Sequence, residues 1–459
     1  MDRRSFLNGG VWAFAGSLLA QQPRRRPNIV VILADDLGYG DLGCYGSRIA
    51  TPNLDRMAAE GMRFEQCYSA SSVCTPARAS LLTGRYAVRM GLPTVLFPGE
   101  NRGIPDTETT LPQLLRDAGY ATACVGKWHL GDRSQFSPTA RGFDEFFGVP
   151  YSNDMEPLPL MRNREMLESP TSNAMLTQRF TRQALDFIAR SQEKPFFLYL
   201  AHCAPHIPIG VSPDFAGKSG LGAYADAVME VDWSVGRVLA ALADLGLDDN
   251  TIVVFSSDNG PWYQGSPGRL RGRKGEAYEG GMRVPMLARM PGRIPAASLA
   301  AGMATHLDLL PTLANIAGAA RPAQPLDGVD LTPMLEGREE APANREPFLF
   351  FDSWNVQCAR LGNWKLHLSR CDEPPWLEGR SDGRTNLPLP RPELYDVNKD
   401  PGESYECAAE NRDVVADIQA RVEALLNTFP QEVRNARRET LLRKTKWTPT
   451  GATPVQTKP

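Results

Sequence analysis

The sequence predicts an α/β fold: a large mixed, mostly parallel sheet sandwiched by helices, with a small C-terminal antiparallel sheet and one helix. Four apolar, β-branched runs recur along the chain, and segments with helical spacing separate them. Near-continuous apolar runs are typical of strands that are buried on both faces of a helix-covered sheet. Short strand-like segments with turn signals after about Pro342 predict the small sheet.

The first twenty residues predict an export signal rather than part of the fold. Arg3 and Arg4 precede an apolar stretch from Gly9 to Ala20 that ends in small residues. The arginine pair followed by Phe-Leu resembles a twin-arginine signal, and an ordinary secretory signal is the alternative. Either kind of signal predicts that export machinery recognises the protein and that the mature protein is periplasmic or secreted. The stretch is too short to serve as a stable membrane anchor.

Polar side chains follow each of the four apolar runs. The predicted strands are Asn28–Leu33, Ala121–Val125, Pro195–Ala201 and Thr251–Phe255, and the helices between them include Leu111–Ala118, Thr177–Ser191 and Tyr224–Leu245. The polar residues that follow the strands are Asp35, Asp36, Lys127, His129, His206, Asp258 and Asn259. Any one of them could be a turn former or cap. Because ligands bind outside the carboxyl ends of such strands, we expect the group to form one site.

Two of these clusters offer only oxygen ligands, namely Asp35 with Asp36 and Asp258 with Asn259. Oxygen ligands suit calcium or magnesium better than zinc or copper. Carboxylates packed close together also need a cation to offset their repulsion. Solvated turns would be the preferred interpretation of either pair alone. The two pairs together predict a divalent-cation site, for Ca²⁺ with Mg²⁺ as the alternative.

Cys74 is predicted to lie at the N-terminus of a helix. Pro76 suits the first helical position and Gly84 suits the C-cap. Free N–H groups and the helix dipole favour an anion at such a position. The pattern by itself allows either a reactive thiolate or a buried, capped cysteine.

The segment Cys74-Thr75-Pro76-Ala77-Arg78 matches the Cys-x-Pro-x-Arg signature of the formylglycine-dependent sulfatases, a family of the alkaline phosphatase-like superfamily. The resemblance runs in family order from residue 28 to about 410 and is greatest to the arylsulfatase A and N-acetylgalactosamine-6-sulfatase branches. It includes residues 81–85, 126–131, 141–144, 257–260, 274–275 and 278–281.

The resemblance implies hydrolysis of a sulfate ester by S–O cleavage. It implies that a formylglycine-generating enzyme oxidises Cys74 to formylglycine during maturation. One hydroxyl of the hydrated aldehyde would attack sulfur and the second would expel sulfate, which replaces one hard step by two easier ones. The cation, which polarises the sulfate, would be held by Asp35, Asp36, Cys74, Asp258 and Asn259.

The resemblance also assigns roles to further side chains. Arg78 would lower the pKa of the diol, and Lys127 and Lys274 would neutralise charge on the sulfate and the leaving oxygen. His129 would remove the proton of the diol, and His206 would donate a proton to the leaving alcohol or hydrogen-bond the bridging oxygen. The implied catalytic residues are therefore Cys74, Arg78, Lys127, His129, His206 and Lys274, and the implied substrate-binding residues are Lys127, Ser152, His206 and Lys274.

The substrate is expected to be a sulfated carbohydrate, with aryl sulfates also accepted, because of the likeness to the galactosamine-sulfatase branch. Trp262 and Tyr263 could stack on a sugar or aryl ring. Arg269, Arg271 and Arg273 could read a second anionic group, or could form a solvated basic loop. A phosphomonoesterase or phosphonate hydrolase on the same fold, and a non-catalytic glycan-binding protein, are the rival functions.

Composition and spacing narrow the remaining possibilities. Fifty basic against 53 acidic residues leave no basic excess, which argues against a nucleic-acid partner. No Cys-x-x-Cys pair occurs, which excludes a zinc ribbon, and a bridge between Cys358 and Cys371 is possible.

His202, His306 and His367 are expected to be structural. The predicted divisions are residues 1–20 (signal), 28–341 (catalytic domain), 342–440 (C-terminal α+β subdomain) and 445–459 (flexible tail).

Overall fold

The computed structural model describes residues 26–340, 345–373 and 385–444. The predicted export signal and the predicted tail lie outside the described residues. The large sheet has ten strands: β1 (Asn28–Ala34), β2 (Met62–Tyr68), β3 (Ala121–Lys127), β4 (Glu145–Val149), β5 (Leu160–Arg162), β6 (Glu165–Glu168), β7 (Phe196–Ala201), β8 (Thr251–Ser257), β9 (Arg283–Arg289) and β10 (Ser298–Thr305). The small sheet has four: β11 (Phe348–Asp352), β12 (Asn355–Leu361), β13 (Trp364–Cys371) and β14 (Asn386–Asp396).

Helices cover both sheets. They are α1 (Pro52–Ala59), α2 (Cys74–Thr83), α3 (Leu111–Asp117), α4 (Leu176–Arg190), α5 (Ala223–Asp244), α6 (Glu279–Met282), α7 (Leu309–Ala317), α8 (Thr332–Leu335), α9 (Arg412–Leu426) and α10 (Gln431–Leu442). Within the part of the chain that the structure describes, none of them is long and apolar enough to cross a bilayer.

The predicted α/β class is confirmed by the order of the large sheet, β10-β2-β9-β8-β1-β7-β3-β4-β5-β6. The four strands predicted from their apolar runs are neighbours, and β8, β1, β7 and β3 all run parallel. Strand β9 and the hairpin formed by β5 and β6 add the antiparallel pairs. Parallel neighbours place their carboxyl ends at one edge of the sheet, which is where the polar residues follow.

The apolar runs are continuous because both faces of the sheet are buried. Side chains alternate along a strand, and in β1 Ile29, Val31 and Leu33 enter one core while Val30 and Ile32 enter the other. Helices α2, α3 and α7 pack in the first core, and α1, α4 and α5 pack in the second. The predicted layering of helices on both faces is therefore confirmed.

The small sheet is antiparallel in the order β11-β12-β13-β14, as predicted. Two helices pack on it rather than the single one expected. The additional helix, α10, contributes only Val433 and Thr440 to the buried interior. A helix with so few buried apolar residues leaves almost no periodic pattern in the sequence, so it could not be recognised there.

A disulfide between Cys358 and Cys371 is wrong: the two residues are not bonded to each other. The antiparallel register places Cys358 opposite His367. Cys371 lies four residues further along β13, or about 13 Å away at the usual rise of a strand. A disulfide requires Cα atoms within about 7 Å. The Cys358 sulfur instead lies 3.3 Å from Nδ1 of His367.

Candidate active site

The polar residues that follow the four central strands come together at one buried edge of the large sheet. Asp35 and Asp36 directly follow β1, and Asp258 and Asn259 directly follow β8. Lys127 is the last residue of β3. All five side chains are at most 2% exposed, so this is an interior polar group and not a set of solvated turns.

Cys74 is the first residue of helix α2, at the N-terminus as predicted. The prediction that Pro76 takes the first helical position is wrong, since it is the third residue. Proline is still tolerated there, because N–H groups of the first turn have no partner within the helix. Gly84 forms the predicted C-cap, with φ of 67°. The Cys74 sulfur lies 3.4 Å from Nζ of Lys274.

Three protein cations pair with the three carboxylates of the site. Lys127 Nζ lies 2.6 Å from Asp35, Lys274 Nζ lies 2.8 Å from Asp36, and the Arg78 guanidinium lies 2.9 Å from Asp258. These charges sum to zero, so the protein's own cations offset part of the repulsion between the carboxylates, and repulsion alone does not require the added cation that the sequence argument invoked. A divalent cation added to this group would leave a net charge of about two positive units facing an anionic substrate.

The two carboxylates that share Arg78 differ in their pKa. Burial raises the pKa of Asp35, but Lys127 and Arg78 outweigh burial and hold it well below its usual range. Burial and the negative charge of Asp35 raise the pKa of Asp258 to about 6, although Arg78 opposes the rise. Asp35 is therefore the carboxylate that stays ionised most readily. The ionisation of Asp258 relies more on a nearby positive charge, because burial and Asp35 both oppose it.

The residues present fit a hard divalent cation. Ligand atoms of Asp35, Asp36, Cys74 and His206 lie within 4.8 Å of one another. Asn259 Oδ1 is buried and accepts no hydrogen bond from the described residues, whereas its Nδ2 donates to Asp36 at 2.7 Å. A buried acceptor without a donor lowers the stability of the fold unless a positively charged partner, such as a metal ion, binds it. Such an oxygen-rich group suits calcium or magnesium.

His206 lies beside the same carboxylates, with its Nε2 3.5 Å from Asp36. Burial and Lys274 lower its pKa, against the opposing effect of Asp36. Its Nδ1 contacts the carbonyl oxygen of Ile207, which can only accept, so in a neutral ring Nδ1 carries the proton and Nε2 is an acceptor. Because a hard cation prefers oxygen ligands to nitrogen, the position of His206 fits contact with substrate better than a place among the cation ligands.

Ser152 lies beside Lys127 as the resemblance implied, and its Oγ accepts a hydrogen bond from Nζ at 3.0 Å. The next residue, Asn153, was not singled out in the sequence. Its amide donates to the backbone carbonyls of His206, at 3.4 Å, and Pro208, at 3.1 Å. Asn153 therefore ties the loop that carries Ser152 to the loop that carries His206.

His129 is held so that one ring nitrogen remains available as a base. Its Nε2 lies 3.0 Å from the carbonyl oxygen of Leu96, which can only accept, so this nitrogen carries the proton. Nδ1 is then the unprotonated nitrogen, and it is buried with no hydrogen-bond partner among the residues described. Burial, Lys127 and Arg78 lower the pKa of His129 well below its usual range, which keeps the ring neutral.

Sequence reasoning missed the groups that hold His129. The Thr75 hydroxyl donates to the carbonyl oxygen of His129 at 2.9 Å and accepts from the Leu96 N–H at 3.2 Å. Thr75 occupies the variable position of the signature, and Leu96 acts through its backbone. Only the position of Thr75 next to Cys74 could have indicated either contact.

The three histidines expected to be structural pair with residues other than Asp35, Asp36 and Asp258. His202 Nε2 pairs with Ser234 Oγ at 3.1 Å, and His306 Nε2 pairs with Ser256 Oγ at 2.9 Å. His367 Nε2 lies 2.6 Å from Glu403 in the small sheet. All three rings are buried and engaged with these partners.

Two of the three arginines near Lys274 are engaged with the protein. Arg273 donates to the carbonyl oxygens of Trp262, at 2.8 Å, and Gly265, at 2.7 Å. Arg271 donates to the carbonyl oxygen of Glu403 at 3.0 Å. These contacts favour a structural role for both, and Arg269 is exposed.

Trp262 and Tyr263 form an aromatic pair, with ring centroids 5.0 Å apart and planes at 86°. Tyr263 is 45% exposed, so part of its ring is open to a ligand. Aromatic surface of this kind can pack on a sugar or an aryl group.

Residues 27–319 match the model of the sulfatase family, and residues 343–456 match that of the C-terminal region of aryl-sulfatase. The chain is 41% identical to arylsulfatase A of Homo sapiens over 439 residues, covering 86% of this chain and 85% of that protein. It is 40% identical to N-acetylgalactosamine-6-sulfatase of Canis lupus familiaris over 442 residues, covering 85% and 83%. The crystal structure of Ps i-CgsB in complex with k-i-k-neocarrahexaose matches with a TM-score of 0.78 and 30% identity, covering 92% of this chain and 98% of that one.

Proposed function

Because the chain belongs to the sulfatase family, it is a sulfuric ester hydrolase, and we propose that it uses formylglycine at position 74 and Ca²⁺ to cleave a sulfated carbohydrate. The observation that supports this most directly is the position of Cys74. It begins helix α2, and its sulfur lies 3.6 Å from Asp35 and 3.4 Å from Lys274. The residue that the signature marks for oxidation thus lies between a carboxylate and an ammonium group.

An unmodified thiol would be a poor nucleophile at this position. Burial raises the pKa of Cys74 far above neutral pH, although Lys127 and Lys274 oppose the rise, so the thiol stays protonated. Its sulfur stands in for one hydroxyl of hydrated formylglycine. That group supplies a nucleophilic hydroxyl and a second hydroxyl for the release of sulfate. We propose that Asp35, Asp36, Asp258, Asn259 and residue 74 hold the cation, which polarises the sulfate when bound.

The surrounding side chains can bind the sulfate and move protons. We assign sulfate binding to Lys127, Lys274 and Ser152, since Lys127 already contacts Ser152 and Lys274 contacts Cys74. His129 Nδ1 is the base that takes a proton from residue 74. His206, once protonated on Nε2, donates a proton to the leaving alcohol or hydrogen-bonds the bridging oxygen, because its Nδ1 already donates to the carbonyl oxygen of Ile207. Arg78 holds both Asp35 and Asp258 in place, since its guanidinium lies 3.5 Å from the first carboxylate and 2.9 Å from the second.

A sulfated carbohydrate is the substrate class we favour. One relative is named for its action on an N-acetylgalactosamine sulfate, and Ps i-CgsB was crystallised with k-i-k-neocarrahexaose. In this chain the partly exposed ring of Tyr263 follows Asp258 and Asn259 by only a few positions. Aryl sulfates should be accepted as well, since they need only the sulfate-binding side chains. We assign catalysis to residues 28–341 and treat residues 342–440 as a C-terminal subdomain.

The function is tested by comparing a matched aryl sulfate and aryl phosphate. We expect kcat/KM to favour the sulfate by at least about a hundredfold, a difference of about 3 kcal/mol in the barrier. Mass analysis of the peptide that contains Cys74 should show formylglycine in active protein made with a competent modifying enzyme. A preference for phosphate would support the rival phosphomonoesterase, and an unmodified thiol in fully active protein would exclude the formylglycine mechanism.

We also propose that the protein is exported and that its mature form begins near Gln21. Replacing Arg3 and Arg4 together by Lys should strongly impair export if the twin-arginine route is used, because that route requires the arginine pair. The measurement is the distribution of the protein between cytoplasm and periplasm or medium. Unchanged export of the double variant would indicate the ordinary secretory route. A wild-type protein that stays cytoplasmic with Met1 retained would contradict export by either route.

A further inference from the structure

The Lys274 loop, residues 271–279, joins the active site to the C-terminal subdomain. On the active-site side, Lys274 Nζ lies 2.8 Å from Asp36, and the Gly275 N–H donates to the carbonyl oxygen of Ser72 at 2.9 Å. Ser72 lies two residues before Cys74. The loop therefore contacts both the carboxylates and the segment that leads into α2.

The other side of the Lys274 loop is fixed to Glu403, in a turn of the C-terminal subdomain. Arg271, at the start of the loop, donates to the backbone carbonyl oxygen of Glu403 at 3.0 Å. Glu279, at its end, donates its backbone N–H to Oε2 of Glu403 at 2.7 Å. Glu403 therefore contacts the loop at both ends, and Lys274 lies between these two contacts.

Glu403 is held by other charged groups of the small sheet. Its Oε1 lies 3.1 Å from Nζ of Lys365 and 2.6 Å from Nε2 of His367. Lys365 Nζ also lies 3.1 Å from Oε1 of Glu279, so it bridges the two carboxylates. The side chains of Glu279, Lys365, His367 and Glu403, here termed the Glu403 cluster, are at most 3% exposed.

The cluster is better explained by positioning than by stability alone. Burying a charged group costs several kcal/mol, and well-packed apolar residues often stabilise a fold as much as a buried ion pair does. A buried, fully paired cluster does, however, fix one arrangement of the backbone. Here the backbone that it fixes belongs to the loop that presents Lys274.

We propose that Glu403 is a positioning residue for sulfate binding, and that it acts from the C-terminal subdomain through the Lys274 loop. The inference rests on the proposed role of Lys274 in binding sulfate. It gives the C-terminal subdomain a part in the reaction, since the Lys274 loop is held by Glu403 at both ends in addition to its contacts within the catalytic domain, such as the Lys274 N–H with the carbonyl oxygen of Pro261 at 3.0 Å. Glu403 has no contact with the substrate in this proposal.

The test is a double-mutant cycle of Glu403→Gln with Lys274→Met. Gln keeps the size of Glu403 and one acceptor oxygen, but it removes the charge that pairs with Lys365. We expect Glu403→Gln to raise the KM for an aryl sulfate and the inhibition constant of inorganic sulfate by about tenfold each. An effect of this size is usual when two residues belong to one network of hydrogen bonds and ion pairs. In the Lys274→Met background the same change should alter both constants less than about twofold.

Arg345→Met is the control, because Arg345, which is 12% exposed, forms an ion pair with the buried Asp308 at 2.7 Å that does not contact the Lys274 loop. It should lower the midpoint of thermal unfolding without a change in either constant. Arg271→Gln provides a milder second variant if Glu403→Gln does not fold, and it should raise both constants in the same way.

The outcomes distinguish a failure of the positioning role of Glu403 from a failure of the proposed sulfate-binding role of Lys274. Equal effects of Glu403→Gln in the wild-type and Lys274→Met backgrounds would overturn the positioning role, as would a tenfold effect of Arg345→Met. If Lys274→Met by itself leaves both constants unchanged, the proposed role of Lys274 in sulfate binding is wrong, whatever Glu403 does. Loss of the Glu403 effect only in the Lys274→Met background supports the inference.

Discussion

Cys74→Ser is expected to lower steady-state turnover by at least about a thousandfold while still allowing one early release of alcohol per enzyme molecule. The serine oxygen would take the place of the sulfur, beside Lys274 and Asp35. It can attack sulfur, but it has no second hydroxyl through which sulfate could be expelled. The sulfated enzyme should therefore persist. A burst measurement, combined with mass analysis of the peptide that contains residue 74, checks this.

Two variants serve as comparisons for Cys74→Ser. His129→Ala in the modified enzyme should show a milder stall, because Nδ1 of His129 is the base that we propose takes a proton from residue 74. Cys44→Ser, which changes a half-buried cysteine outside the site, should turn over at the rate of the unchanged enzyme. Repeated turnover of Cys74→Ser near the rate of the modified enzyme would contradict the mechanism and would favour direct attack by water.

Asp258→Ala is expected to abolish activity through loss of the cation, and to destabilise the fold. Asp258 accepts from Arg78 Nε at 2.9 Å and from the Asp36 N–H at 3.2 Å. Its removal leaves the fully buried Arg78 with Asp35, at 3.5 Å, as its one remaining carboxylate among the residues that the structure describes. Breaking a buried ion pair in this way costs about 3 to 5 kcal/mol. Elemental analysis for calcium, the activity and the midpoint of thermal unfolding are the three measurements.

Asp232→Ala separates loss of the cation from loss of stability. Asp232 is also buried, and it accepts from the N–H groups of Asn53, at 3.0 Å, and Leu54, at 2.8 Å, at the start of α1. We expect this variant to unfold at a lower temperature while it retains calcium and activity. Full activity of calcium-free Asp258→Ala would show that the reaction does not need this cation site.

The site could be predicted from the sequence to the extent that its residues follow strands. Asp35, Asp36, Asp258 and Asn259 each follow an apolar run, and Lys127 ends another. Parallel strands that are neighbours place their carboxyl ends together, so local patterns were sufficient to predict this group. The Cys74 signature could be recognised for the same reason, because its five residues are consecutive and lie in the single helix α2.

Several features of the site arise from contacts between distant segments. The carbonyl oxygen of Leu96 determines which nitrogen of His129 carries the proton, and no side-chain pattern indicates a backbone acceptor. Asn153 ties two loops together through backbone carbonyls in the same way. The pairing of these carboxylates with Lys127, Lys274 and Arg78 also depends on where long side chains meet in three dimensions.

The sequence by itself determined the fold class, the four central strands, the position of Cys74 at a helix N-terminus and the polar group at the sheet edge. It did so because periodicity and strand ends are properties of short segments. Only the tertiary structure decided the separation of Cys358 from Cys371, the second helix on the small sheet and the link from Glu403 to the Lys274 loop. These depend on strand register and on buried contacts between residues more than a hundred positions apart, such as Glu279 with Glu403, which no local pattern encodes.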